Sequence, residues 1–323
     1  MNQPFVIGID MGGTKMLAAA INTEQGVFAR KKMPTTITEN NQYGGVIAQL
    51  VEELIADNAL DRSLVRAVCL GVPGSVNPHT GTIGLAPNLN IRDYNIKADV
   101  ESHLPFPVLI ENDVNLAALG VHNSGVAKGS DNVLVVFVGT GIGGGIIIDK
   151  KIYRGSSYVA GEIGHMTLDP NGPMCGCGKK GCFEAYASRT AIVREITTDI
   201  KEGKKSVLSE FVEKKTKIKS KALAKALKDG DKVTIKAMEH SALLTGRVLA
   251  NINNLMNFKM IVLGGGVIEA NEAFMLPRIR EAFASYTLAD SAKAVTIVKT
   301  ILGDDAALFG SIALAKEFLE IDI

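Results

Sequence analysis

Three of the four cysteines, Cys175, Cys177 and Cys182, crowd into eight residues behind His165. The run H-x9-C-x-C-x4-C offers four nitrogen and sulfur ligands, the number and kind that tetrahedral zinc takes. Four protein ligands leave no open position. The ion is therefore expected to be structural, holding the loop that carries Glu184, with Gly176 and Gly178 letting the chain wrap it. If one imidazole nitrogen of His165 binds the metal, the other is fixed as a hydrogen-bond partner for something else. The opening Met1-Asn2-Gln3-Pro4 shows no export signal, so the cluster points to a metal before a disulfide. Cys69 has no partner nearby in sequence and reads as a small core residue.

Two glycine turns follow apolar strands. Phe5 to Asp10 leads into Met11-Gly12-Gly13-Thr14, and Val133 to Val138 leads into Gly139-Thr140-Gly141-Ile-Gly-Gly-Gly145. Successive amide N–H groups in such turns can converge on an anion. Taken alone, each turn serves equally well as a hairpin that needs positive φ. The spacing of Gly139, Gly141 and Gly144 fits G-x-G-x-x-G, but β-forming Ile146-Ile-Ile148 follows where that motif must open a helix, so a Rossmann reading fails. No G-x-x-x-x-G-K-[ST] occurs. Asp10, at the end of its strand, is placed to face the divalent cation that accompanies a nucleotide. Thr14 offers a hydroxyl and Lys15 a positive charge, though a solvent-facing strand lysine explains Lys15 equally well.

A third group is Glu111-Asn112-Asp113, where a buried strand (Val108 to Ile110) passes straight into a helix. Polar groups at the carboxyl end of such a strand sit where α/β proteins hold their ligands. Asp113 is either a plain N-cap or a base that accepts a proton from an attacking hydroxyl during phosphoryl transfer.

The elements that must carry these groups alternate. Val46, Leu50, Val51, Leu54 and Ile55 make a helical stripe, and Ala67 to Val72 reads as a buried strand. Glu184 to Ile200 and Lys232 to Met256 read as helices, and Lys259 to Leu263 as a strand running into Gly264-Gly265-Gly266. The last helix is expected to open at Asp304-Asp305, with the carboxylates as caps, and to run through Phe318. The strand-turn-strand layout recurs after about 130 residues, which suggests duplicated halves, and the alternation implies an α/β protein with sheets covered by helices. At 323 residues the chain suffices for two domains. Its 46% hydrophobic and 21% charged residues are those of a globular protein, and 35 basic against 34 acidic residues give +1, which argues against nucleic acid or an anionic membrane as the main partner. The lysine-rich stretch Lys201 to Lys236 interleaves acids and apolar residues and reads as a solvated helical face.

Together these motifs resemble those of the ROK family of sugar kinases and sugar-responsive repressors, the glucokinase-like members most of all. Asp10-Met-Gly-Gly-Thr-Lys15 resembles the first phosphate motif, Glu111-Asn-Asp113-Val-Asn the catalytic segment, and Gly139 to Gly145 the second phosphate motif. Gly161-Glu-Ile-Gly-His165 and Cys175 to Glu184 resemble the sugar and zinc signature, and Leu263-Gly-Gly-Gly-Val267 the segment near the adenosine. The resemblance implies an actin-like (RNase H-like) fold of two related domains with the active site in the cleft. The expected boundaries are 1–116 plus 305–323 for the smaller N-terminal domain and 117–304 for the larger one with its zinc loop. It implies Asp113 as general base, and Gly74, Ser75, Asn88, Asn112, Asp113, Glu162, His165 and Glu184 as sugar contacts. ATP would be held by Asp10, Gly12, Gly13, Thr14, Lys15, Gly139, Thr140, Gly141, Gly265 and Gly266, with Mg2+. Family analogy suggests a dimer or tetramer.

The leading expectation is a cytoplasmic enzyme of carbohydrate metabolism that phosphorylates a hexose at its 6-hydroxyl, with glucose the default acceptor. Fructose, mannose, allose and N-acylated amino sugars stay open, as does polyphosphate as donor. The rivals are a catalytically dead sugar sensor and a sugar-responsive repressor. A repressor needs a helix-turn-helix module, and only nine residues precede Asp10.

Overall fold

The computed structural model describes residues 3–36, 42–321 and 323; Met1 and Asn2, on which the expectation of no export signal partly rests, lie outside the described residues. The apolar runs form the centres of sheets. β1 (Phe5–Met11), β2 (Lys15–Asn22), β3 (Gly26–Pro34) and β4 (Val65–Val72) come first. They are followed by the short strands β5 (Ser75–Asn77), β6 (Thr82–Ala86) and β7 (Ile91–Asn95), and by β8 (Val108–Asn112). One sheet has the order β3-β2-β1-β4-β8, and β5-β6-β7 form a small sheet of their own. β1 is antiparallel to β2 and parallel to β4, which is parallel to β8. Strands covered on both faces are apolar along their whole length, and every residue of β1 except Asp10 is buried.

β9 (Val133–Val138), β10 (Ile142–Ile148), β11 (Lys151–Ile152), β12 (Met260–Gly264) and β13 (Thr296–Lys299) repeat the plan in the order β11-β10-β9-β12-β13. Here too the fourth strand, β12, runs parallel to the first, β9, and to the fifth, β13. The shared 3-2-1-4-5 order is that of the actin-like, RNase H-like fold, and it turns the suspected sequence duplication into a structural one.

By Cα proximity the chain divides into two compact units: Met1–Gly129 with Gly145–Ala160 and Asp304–Ile323, and Ser130–Gly144 with Gly161–Gly303. The boundary expected at 116/117 falls inside one helix, Asp113–Ser124. That helix stays whole in the first unit because it packs on the helix Ala306–Leu319. The two backbones meet at glycines: a Cβ on Gly120 would lie 1.9 Å from the Ala306 oxygen, and one on Gly310 1.8 Å from the Leu116 oxygen.

Several expectations need correction. The turn after β9 ends at Gly141, because Gly143 to Gly145 are already extended within β10. The helix expected from Glu184 to Ile200 is two, Glu184–Ala187 and Arg189–Lys201, broken at Ser188, which leaves the helical region (φ −69, ψ 165) to cap the second through the N–H of Ala191. Asp305 stands at the N-cap of the last helix but makes no capping bond; its carboxylate takes both ends of the Arg30 guanidinium, at 2.6 and 2.7 Å. The stretch around Lys221, Lys225 and Lys228 does have the solvated face expected, with Leu223 and Ala226 buried behind it. Cys69 is fully buried. No helix among the described residues is long and apolar enough to cross a membrane.

Candidate active site

In the first unit, β1 delivers Asp10 to the mouth of the turn Gly12-Gly13-Thr14, where Gly12 N–H donates to Lys15 O (3.0 Å). The turn closes the antiparallel hairpin of β1 and β2, but neither glycine has positive φ, so the hairpin does not need glycine for its backbone conformation. A Cβ on Gly13 would stand 3.0 Å from the Asn88 oxygen, a tight contact that glycine relieves. The N–H groups of Gly13 and Thr14 meet no acceptor among the described residues and are adjacent, as an anion nest requires. Burial pushes the Asp10 carboxyl above its ordinary range, Lys15 opposes this, and Asp304 adds to it. Asp304 was expected only as a helix cap; its nearness to Asp10 was not legible in sequence.

β4 and β8 lie side by side, with Gly71 opposite Glu111 and Val72 opposite Asn112. This pairing brings the Gly74-Ser75 segment to the end of β8, where Asn112 Nδ2 donates to Gly74 O (3.0 Å). Asn112, not Asp113, is the N-cap: its Oδ1 accepts from the N–H of Val114 (3.0 Å) and Asn115 (3.1 Å). Asp113 is the first helical residue, with Oδ1 accepting from its neighbour Val114 (2.9 Å). Of the Asn112 amide, one N–H is left to offer elsewhere. Ser75 Oγ accepts from Leu85 N–H (2.9 Å), which leaves its own hydrogen to donate. The first unit thus gathers Asp10, the Gly12 to Lys15 turn, Gly74, Ser75, Asn88, Asn112 and Asp113.

Sequence reasoning missed what stands behind them. Glu111, 1% exposed, receives Arg154 Nε on Oε2 (2.6 Å), while its Oε1 accepts the Asn112 N–H (2.9 Å) and Asn115 Nδ2 (3.2 Å). Arg154, 11% exposed, also forks onto Glu317 (2.7 and 2.9 Å). Burial works against the Arg154 charge, but the bonds to Glu317 and Glu111 outweigh it and hold the guanidinium charged. Arg154 follows β11 in a segment without a motif. The only sequence signal was a charged residue, Glu111, at the end of an apolar strand, which needs a partner.

In the second unit the turn Gly139-Thr140-Gly141 is tied to two neighbours. Arg189 N–H donates to Gly139 O (2.9 Å) and Thr190 Oγ1 to Thr140 O (2.7 Å). Glu184 Oε2 accepts the Ile142 N–H (2.8 Å) and fills the space a side chain at Gly141 would need, 2.2 Å from its Cβ position. The N–H groups of Thr140 and Gly141 again meet no acceptor among the described residues. Gly265, at φ +84, turns the chain out of β12 with no room for a side chain beneath Val138 O (2.6 Å), and Gly266 opens the short helix after it.

His165, Cys175, Cys177 and Cys182 converge, with ligand atoms all within 4.8 Å of one another. Cys177 Sγ to Cys182 Sγ and Cys175 Sγ to His165 Nδ1 each measure 3.7 Å. Zinc bonds of about 2.0–2.3 Å in a tetrahedron demand edges of roughly 3.5–3.8 Å, so these four residues fit a structural zinc. Burial pushes the Cys175 thiol up to about 12 and raises Cys182 as well. Burial would raise Cys177 too, but the Lys179 N–H and the two other thiols donate to it and bring it below its ordinary value. With Nδ1 turned to the thiols, His165 Nε2 stands 3.8 Å from Glu162 Oε2. Glu162 is raised by burial and by Glu184, with His165 opposing. Glu162, His165 and Glu184 therefore share one corner, although Glu184 is partly engaged by Ile142 and, at 3.6 Å, by the Cys175 thiol.

A sequence profile of the ROK family matches residues 6–318, and the chain belongs to that family. It is 34% identical to a glucokinase of Halalkalibacterium halodurans over 98% of this chain and 96% of that protein. A crystal structure of a ROK family glucokinase from Streptomyces griseus, in complex with glucose and AMPPNP, superposes with a TM-score of 0.82 at 32% identity, covering 97% of this chain and 99% of that one. The xylose repressor of Bacillus subtilis is 32% identical over 77% of this chain, which spans 61% of the repressor.

Proposed function

We propose that this protein is an ATP-dependent sugar kinase that transfers the γ-phosphoryl group to the 6-hydroxyl of a hexose, glucose by default. The observation that carries the reading is Asp113 at the first turn of a helix, at the carboxyl end of β8, in the same unit as Asp10 and the open amides of Gly13 and Thr14. Asp113 takes the hydroxyl proton as the sugar oxygen attacks phosphorus. The bond from the γ-phosphorus to the β–γ bridging oxygen breaks, and ADP leaves with the electron pair. Gly74, Ser75, Asn88, Asn112, Glu162, His165 and Glu184 are the proposed sugar contacts. Gly12 to Lys15, Gly139 to Gly141, and Gly265 and Gly266 are the proposed nucleotide contacts, with Asp10 toward Mg2+, which screens charge on the transferring group. Zinc on His165, Cys175, Cys177 and Cys182 would hold His165 with Nε2 outward. We place the enzyme in the cytoplasm as a homodimer or homotetramer, without nucleic acid or membrane as partner.

The similarity to a repressor keeps a sugar-binding, non-catalytic protein as the second reading. A coupled ADP-release assay over hexoses and N-acylated amino sugars, with ATP and with polyphosphate, separates the two. Turnover with a hexose supports the kinase and names its acceptor. Saturable sugar binding without turnover by any donor refutes it.

A further inference from the structure

The donors around Thr140 outnumber its acceptors. Arg189 Nη2 donates to Thr140 Oγ1 at 2.5 Å, the one side-chain bond the guanidinium makes among the described residues. A threonine hydroxyl that accepts from a guanidinium keeps its own hydrogen for another acceptor, and a guanidinium with five N–H groups has four to spare. The N–H groups of Thr140 and Gly141 are open as well, and Thr140 is exposed. No carboxylate among the described residues lies within ion-pair distance of Arg189. The carboxylate beside the turn, Glu184, already accepts the Ile142 N–H. A backbone bond from the Arg189 N–H to Gly139 O fixes this residue against the turn, so the side chain starts from a set position.

Donors of three kinds converging at an exposed glycine turn recognise a polyanion with oxygens on several sides. We infer that Arg189 is a phosphate-binding residue for the donor, gripping the di- or triphosphate tail at the Gly139-Thr140-Gly141 turn together with the Thr140 hydroxyl. The inference rests on the kinase reading and assigns a charged donor contact that the glycine motif itself does not supply. The alternative is that Arg189 only pins the turn.

The test titrates adenosine, ADP and a non-hydrolysable ATP analogue into the zinc-loaded full chain by calorimetry, for wild type, Arg189→Ala and Arg189→Lys. Steady-state KM for ATP and for the hexose are measured in parallel. Arg189→Ala should weaken ADP and the ATP analogue roughly 10- to 100-fold, as expected for a lost charge-assisted bond, and leave adenosine and the hexose KM unchanged. Arg189→Lys should recover part of the loss, keeping the charge without the fork. An equal loss for adenosine would mean that the turn has simply collapsed, and ADP affinity unchanged in Arg189→Ala would mean the guanidinium does not touch phosphate; either overturns the inference. Active wild type with Arg189→Ala unaffected refutes this assignment alone. Wild type that binds ADP through Arg189 but transfers no phosphate refutes the kinase reading alone, and wild type that binds neither nucleotide overturns both.

Discussion

Replacing Arg154 by Met tests whether the base is held in place from behind. The substitution keeps most of the side-chain volume and removes the charge that Glu111 faces at 2.6 Å. Glu111 is 1% and Arg154 11% exposed, so the loss is that of one partner from a buried pair, about 3–5 kcal/mol. The second arm, to Glu317 at 38% exposure, adds little, about 0–1 kcal/mol. For a unit of this size the sum corresponds to a fall in melting temperature on the order of 10 °C. Glu111 also holds the Asn112 N–H and Asn115 Nδ2, so its displacement moves the cap and with it Asp113. A misplacement of about 1 Å costs up to roughly 100-fold in rate. The expected kinetic signature is a fall in kcat with little change in KM for ATP, measured at a temperature where the variant is folded. The control is the double variant Arg154→Met, Glu111→Leu, which removes both charges and should regain much of the stability but not the rate. A double variant with wild-type kcat would show that the pair supports the fold and nothing else. A single variant melting within about 2 °C of wild type would show that Glu111 does not depend on Arg154.

Asp113→Ala should lower kcat by roughly 100- to 10,000-fold, the usual worth of a general base, while sugar affinity by calorimetry stays close to wild type; near-normal turnover would place the base elsewhere. Cys177→Ser should lower zinc content by metal analysis and melting temperature together, and a fully active wild type purified without zinc would end that idea. Asp231 caps the helix Lys232–Met256 through the Thr234 N–H (2.7 Å) and also takes the Val207 N–H (2.9 Å). Burial alone would raise its carboxyl, but these two N–H bonds hold it below the ordinary range. Its contribution is therefore complete above the unfolded carboxyl value near 3.8 and is lost as pH falls through the lower folded value. Asp231→Ala should cost about 1–2 kcal/mol at neutral pH, and the gap to wild type in urea denaturation should narrow below about pH 4; a gap that does not change with pH would refute the assignment.

What was legible in the sequence was what chain-local chemistry dictates. The apolar runs Phe5 to Asp10 and Val133 to Val138 read as buried strands and are strands, and the spacing of His165 and the cysteines already pointed to their convergence. What was not legible depended on contacts distant in sequence. Asn112 takes the cap because its amide also reaches Gly74, 38 residues earlier, and Asp305 declines it because Arg30, 275 residues away, competes for its carboxylate. Arg154 and Arg189 carry no motif, and each becomes visible only when the chain brings its partner, Glu111 or Thr140, alongside.

The two sheets share a strand order but not a chemistry, and register makes the difference explicit. Asp10 in β1 pairs with Gly71 in β4, and at the equivalent place in the second sheet Phe137 in β9 pairs with Gly264 in β12. The position that presents a carboxylate in one copy presents a ring in the other, packed where a Cβ on Gly264 would be, 2.6 Å away. β8 ends in Glu111-Asn112 and hands on to Asp113, whereas β13 ends in Lys299 and hands on to Thr300, Ile301 and Leu302. At these strand ends the acids stand in the first copy only, and the carboxylate beside the second glycine turn, Glu184, comes instead from a helix, next to the Thr140 hydroxyl and the Arg189 guanidinium. Placing a carboxylate at the equivalent position of the second copy, as Phe137→Asp, should weaken ADP more than adenosine by calorimetry in a variant that stays folded, because the added charge opposes an anion at the turn that follows β9; equal weakening of both ligands would refute this.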